Sequence, residues 1–192
     1  MRHLHRTDLE VYAESWSFPR ALMAQYAHLG VFVETGTYQG GGVKQALDLG
    51  FRAVYSCEID ADLFNLAGER FAGDDRVDVY CGDAADLLPG ILAELTAPAL
   101  IFLDGHDPDL PCPLLAELQA IAAAGIRDHV IVVDDVDTVE RGAHWGGTVT
   151  VDAIAAALLK INPAYQLRRE NGKTRPGSML FAELGAAADR AA

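Results

Sequence analysis

Apolar runs of strand length recur along this chain without internal alternation, as in Ala99-Leu100-Ile101-Phe102-Leu103 and Val130-Ile131-Val132-Val133. A strand that is apolar on both faces must be covered on both, the condition of parallel strands in an α/β sheet. Strands are expected at Val31 to Glu34, Ala53 to Glu58, Val77 to Tyr80, Ala99 to Asp104 and His129 to Asp134. Amphipathic stretches of helix length separate them, near residues 41 to 49, 60 to 72, 84 to 95, 113 to 124 and 147 to 161, with another around 8 to 28 ahead of the first strand. The end of the chain breaks this rhythm. Tyr165 to Glu170 and Ser178 to Leu184 read as two strands joined through an Asn171-Gly172 turn, and the Ala-rich stretch from Gly185 to Ala192 reads as a frayed tail. At 192 residues and 51% hydrophobic content, the chain suits one globular domain with a substantial core.

The first strand runs into Glu34-Thr35-Gly36-Thr37-Tyr38-Gln39-Gly40-Gly41-Gly42, glycines placed where a strand turns sharply into a helix. Ligands of open α/β sheets bind there, beyond the carboxyl ends of the strands. A dinucleotide fingerprint needs glycine where Tyr38 stands, and no Gly-Lys-Ser/Thr follows for a Walker loop. Glu34 can instead meet the cationic amino group of an amino-acid-like ligand, with Gly36 admitting that ligand close to the main chain. A generic tight turn explains the glycines alone, but an unpaired carboxylate at the end of a buried strand is costly.

The second strand ends at Glu58-Ile59-Asp60, about twenty residues further on, where a carboxylate can accept from both hydroxyls of a ribose. Glu58 is the better candidate, because Asp60 is explained as a helix N-cap. Cys81-Gly82-Asp83-Ala84 puts another carboxylate at a strand end, facing an adenine amino group or simply capping the next helix.

Through these residues the chain resembles the class I S-adenosylmethionine-dependent methyltransferases. Glu34 to Gly40 looks like their first motif, Glu58 like their ribose-binding acid, and Gly82-Asp83-Ala84 like their adenine-side motif. The resemblance implies a Rossmann-like α/β fold, with a mostly parallel seven-stranded sheet ending in an antiparallel hairpin. It implies S-adenosylmethionine held by Glu34, Gly36, Thr37, Tyr38, Gly40, Glu58, Asp83, Ala84 and Asp104. The E-x-G-x-x-x-G spacing and the later aspartates are most similar to the metal-dependent O-methyltransferases of the catechol and caffeoyl type and of the macrolide-sugar type.

Asp104 ends the fourth strand and Asp134-Asp135 the fifth. If these strands are neighbours, about 4.8 Å apart, their acids can share one cation, and like charges so close repel unless something positive lies between them. Mg²⁺ prefers such oxygen ligands. By analogy with the metal-dependent families, Asp104, Asp134 and Asp135 are the ligands, and a metal-bound acceptor hydroxyl is activated for attack on the sulfonium methyl. The catechol-type enzymes carry a lysine base three residues after the first of these aspartates, and here that position is Asp107. His106 is the nearest substitute as a general base, alongside Asp104 in the catalytic group.

Asp137 to Gly147, with His144 and Trp145 among glycines, is a candidate lid or an ordinary exposed loop. Tyr12, Trp16 and Phe18 are better explained by core packing than by an acceptor site. Three cysteines without metal or disulfide spacing are expected as reduced thiols. With 28 acidic against 15 basic residues, the formal charge of -13 disfavours a nucleic-acid partner and leaves a small-molecule acceptor. No run is long enough to span a membrane and the first residues lack an apolar signal, so a cytoplasmic location is expected. Without a long capping insertion, a second copy of the chain can serve as a wall of the site, which admits a homo-oligomer.

Overall fold

The computed structural model describes residues 16–106, 111–142 and 149–185. Strands β1 (Val31–Thr35), β2 (Ala53–Glu58), β3 (Val77–Cys81), β4 (Leu100–Leu103), β5 (Val130–Val133), β6 (Tyr165–Glu170) and β7 (Met179–Leu184) form one sheet in the order β3-β2-β1-β4-β5-β7-β6. The first five are parallel, and β7 inserts antiparallel between β5 and β6. This is the expected Rossmann-like arrangement with its terminal hairpin. Its order reverses between β1 and β4, where two diverging crossovers open a crevice beyond the strand ends.

The period of two along each strand separates two cores. Val33, Ile101, Leu103, Ile131 and Val133 face helices α4 (Ala84–Glu94), α5 (Leu114–Ala123) and α7 (Val151–Ile161). Phe32, Leu100, Phe102, Val132 and Phe181 face the other layer, packed with Trp16, Phe18, Met23 and helix α2 (Gly41–Asp48). Trp16 meets Phe102 edge to face with ring centroids 5.1 Å apart, a geometry aromatic pairs favour. Trp16 and Phe18 were expected in the core, and both are buried.

Several local expectations differ from the fold. Within the described residues, the N-terminal helical segment comprises only α1 (Arg20–Met23) and a 3-10 turn at Ala24–Leu29, because Pro19 sits at its start with extended backbone. Tyr12 lies outside the described residues. The hairpin connection runs through residues 171–178 as a wide loop that includes Asn171-Gly172, closed where Asn171 Oδ1 accepts from the Gly177 amide at 2.9 Å. Asp137 to Glu140 belong to a short helix, α6 (Val136–Glu140), and Asp137 is buried rather than solvated. His144 and Trp145 lie outside the described residues. All three cysteines are free, and no helix among the described residues is long and apolar enough to cross a membrane.

Candidate active site

A cleft of about 660 Å³ lies over the crevice between β1 and β4. On its β1–β3 side the main chain does most of the building. Gly36 has φ +86°, and a Cβ there would stand 2.9 Å from the Asp104 carbonyl, so only glycine lets the ends of β1 and β4 come this close. The Gly36 and Thr37 amides donate to the Cys57 carbonyl at 2.9 and 3.1 Å, which ties the turn to β2. Tyr38 then adopts φ +46°, and its amide donates to Glu58 Oε2 at 2.7 Å. Glu58 Oε1 accepts from the Asp60 amide at 2.9 Å. Two backbone donors thus fix a carboxylate that lines the cleft, and about two of its four lone-pair sites stay open to a ligand.

Asp60 caps helix α3 (Ala61–Arg70), accepting from the Asp62 and Leu63 amides. Asp83 caps α4 by accepting from the Ala85 amide at 2.9 Å, and it also lines the cleft beside Gly82 and Ala84. Capping and cleft exposure coexist at this residue, because the cap uses one carboxylate oxygen.

Glu34, expected to face the ligand, does not line the cleft. It is 1% exposed and points under the first turn of α2, so close to Gly42 that any Cβ there would collide with Oε2. Ser56 donates to Glu34 Oε1 at 2.8 Å, and the Thr37 and Ser56 hydroxyls are 2.6 Å apart. Burial pushes the Glu34 carboxyl up to about 8; the Ser56 bond opposes this rise and Glu58 adds to it. Thr37 is likewise buried beside Ser56, and Gly40 caps α2 at φ +80°. These three shape the turn from behind instead of contacting the cleft, because the strand alternation carries Glu34 to the aromatic layer.

The β4–β5 side is made of charged side chains. Asp104, His106, Asp134 and Asp135 all line the cleft. His106 Nε2 lies 2.7 Å from Asp135 Oδ2, while Nδ1 is 3.7 Å from Asp104 Oδ1, beyond hydrogen-bond range. Ligand atoms of Asp104, His106 and Asp135 fall within 4.8 Å of one another. Of the expected trio, Asp104 and Asp135 fall in this group together with His106, while Asp134 lines the same cleft outside it. Asp134 follows β5 as foreseen but is 1% exposed, with Ser17 and Ser178 beside it. Burial raises the Asp104 carboxyl well above the usual range; neighbouring Asp134 and Glu34 add to the rise and Arg175 opposes it. Burial also raises Asp134, against the pull of Ser17 and Arg175.

No family model matches the sequence, and no curated protein matches it. Solved structures do. An O-methyltransferase from Bacillus cereus in complex with SAH superposes with a TM-score of 0.63 at 18% identity, over 95% of this chain and 82% of that one. A SAH-bound methyltransferase from Podospora anserina gives 0.59 at 17% identity, over 94% and 87%. Spermidine synthase from Thermotoga maritima gives 0.61 at 17%, over 91% of this chain and 60% of that one. The fold is that of the class I methyltransferases. The spermidine synthase match means that the fold alone does not fix which group is transferred.

Within this methyltransferase fold, two features had no signal in the sequence. Arg175, from the β6–β7 loop, enters the cleft and pairs with Asp135 Oδ1. Glu117, in the first turn of α5, is 1% exposed, and burial pushes its carboxyl up to about 8 against the opposing effect of the nearby Thr35 hydroxyl. Thr35 Oγ1 in turn accepts from the Asp104 and Gly105 amides, each at 3.2 Å. The turn that carries Asp104 and His106 is thereby tied to the end of β1, with Glu117 beside it. The loop arginine and the helix glutamate look ordinary in sequence, and only the long-range packing gives them a place at the site.

Proposed function

We propose that this chain is an S-adenosylmethionine-dependent methyltransferase that methylates a hydroxyl oxygen of a small molecule with the help of a divalent cation. The observation that carries the reading is the placement of Glu58, a carboxylate fixed by two amides with lone pairs open to the cleft, across from the Asp104, His106 and Asp135 group. The first suits the vicinal hydroxyls of a ribose and the second suits a reacting acceptor. The SAH carried by two of the structurally similar proteins supports the choice of cofactor.

The residues fit a divalent ion. Two carboxylates and an imidazole converge, and Asp134 Oδ1 beside them is buried without a hydrogen-bond partner among the described residues. Asp104, His106 and Asp135 would hold the ion, which when bound lowers the pKa of a coordinated hydroxyl. The remaining work is positional. Glu58, Gly36 and Asp83 hold the donor so that the acceptor oxygen lies in line with the sulfonium methyl. When bound, the donor would supply a methyl group on a sulfonium that leaves as a neutral thioether, and a cleft base would take the acceptor's hydroxyl proton.

The 2.7 Å contact between His106 Nε2 and Asp135 Oδ2 supports a second, metal-independent reading. There Asp135 orients the ring and His106 Nδ1 takes the acceptor proton. The net charge of -13 favours a small acceptor over a nucleic acid in either case.

Calorimetric titration of S-adenosylmethionine and SAH into the purified chain tests the cofactor, and mass-spectrometric detection of methylated acceptors with and without chelator tests the ion. Binding of both compounds with chelator-sensitive product formation is expected. Absence of binding by either compound overturns the methyltransferase reading, and chelator-resistant turnover selects the His106 base.

A further inference from the structure

Arg175 is the only cation among the cleft-lining residues of known placement besides a protonated His106, and it faces a concentration of acids. Its guanidinium pairs through Nη2 with Asp135 Oδ1, stands 3.4 Å through Nη1 from Asp137 Oδ1, and donates from Nη1 to Thr138 Oγ1 at 3.0 Å. Its field also reaches Asp104 and Asp134. Asp137 already has a partner in Arg141 at 2.6 Å, and Glu140 is paired with Arg169. The charge that Arg175 balances is therefore that of Asp104, Asp134 and Asp135.

Both oxygens of Asp135 are engaged, Oδ2 by His106 and Oδ1 by Arg175. A divalent ion that takes an Asp135 oxygen has to displace one of the two, and imidazole can remain as a ligand where guanidinium cannot. The side chain of Arg175 is 36% exposed, so it has solvent to move into. Its backbone is held: the Gly172 amide donates to the Arg175 carbonyl at 3.0 Å, and the loop is fixed by Lys173 to Ser17 at 2.7 Å. The movement needed is a change of side-chain rotamer, with no loop rearrangement.

We infer that Arg175 is a displaceable internal cation that stands in for the divalent ion at Asp135 and sets how tightly that ion binds. The inference rests on the metal-assisted reading above. With the ion absent, the guanidinium keeps the acids from repelling one another; when the ion arrives, the two positive charges compete for the same carboxylates. The forked, permanently charged guanidinium suits this role because it can leave Asp135 while staying on Thr138.

The test is Mn²⁺ titration of the full chain, with free Mn²⁺ read by its electron paramagnetic resonance signal and SAH binding measured on the same samples. Arg175→Gln should bind Mn²⁺ at least tenfold more tightly than the unaltered protein, Arg175→Lys should fall between them, and Thr138→Val, which removes the berth and no charge, should change affinity less than threefold. SAH affinity should be the same in all four. Equal Mn²⁺ affinity in Arg175→Gln, Arg175→Lys and the unaltered protein overturns the inference and leaves the metal reading standing. No Mn²⁺ binding by any of them, with SAH still bound, overturns the metal reading and the inference with it. Should Arg175→Gln fail to fold, Arg175→Lys decides: unchanged Mn²⁺ affinity there counts against the inference, and tighter binding supports it.

Discussion

The two halves of the cleft are built from different materials. Under β1 to β3 the shape comes from main chain: a glycine that admits the end of β4, a tyrosine in left-handed backbone, and a glutamate held by two amides. Under β4 and β5 it comes from ionisable side chains held by one another, Asp135 between His106 and Arg175. A main-chain site has its groups fixed by backbone bonds before a ligand arrives, with lone pairs of Glu58 left open to it. A site of crowded charges is satisfied only in part, as Asp134 Oδ1, without a hydrogen-bond partner among the described residues, records, and it stays responsive to cations.

That contrast can be broken at four points. The largest effect is expected from Asp135→Asn, which removes the charge shared by His106 and Arg175. Methyl transfer should fall on the order of 100-fold, while SAH affinity changes less than about threefold. Product formation and calorimetry on the same preparation check the split, and a parallel loss of SAH binding would mean that the two halves are not separable. Next, Glu58→Ala should weaken S-adenosylmethionine binding by about 2 kcal/mol, through lost ribose bonds to a charged acceptor. Unchanged affinity by calorimetry would remove Glu58 from the cofactor site.

The third point is pH. Glu34 and Glu117 are both raised from 4.5 to about 8 by burial. Between those values the folded chain keeps a proton that the unfolded chain has lost, so stability falls as pH rises from about 4.5 to about 8 and levels off above. Each buried glutamate contributes at most about 1.4 kcal/mol per pH unit in that window. Urea midpoints measured across it should show the decline, and Glu34→Gln should flatten it. A midpoint that rises with pH in both proteins would contradict the burial. The smallest effect is expected from Thr35→Val, at about 1 kcal/mol of stability for the lost hydroxyl bonds, together with a drop in methyl transfer. Thr35→Ser should restore both, and failure of that rescue would show that the hydroxyl is not what holds the Asp104 turn.

The difference in materials also explains what could be read from the sequence. The strands, the terminal hairpin, and the Glu58 and Asp83 positions follow from local patterns: apolar runs, glycines at strand ends and acids just beyond them. Asp104 and Asp134 were foreseen on neighbouring strands, and Leu103 does register with Val133. Asp134 is buried beside Ser17 and Ser178, residues distant from it in sequence, so which side chains converge has no local signature. Glu34 lies behind the turn because a strand-end acid can project to either face, and here the small Gly42 makes room for it. Helix α6 was missed because a run of aspartates with nearby glycines has the composition of a loop. Arg175 was invisible for the same reason as Glu117: each acts at a site assembled from other parts of the chain.

Asp135 sits at φ +60°, a backbone conformation that glycine adopts with less strain. A glycine there would relax the backbone and release both His106 and Arg175. Mutational drift that favoured robustness of the fold would therefore tend to erase this residue, so its persistence or loss among descendants of this sequence is a sensitive record of whether the chemistry at the cleft is still under selection.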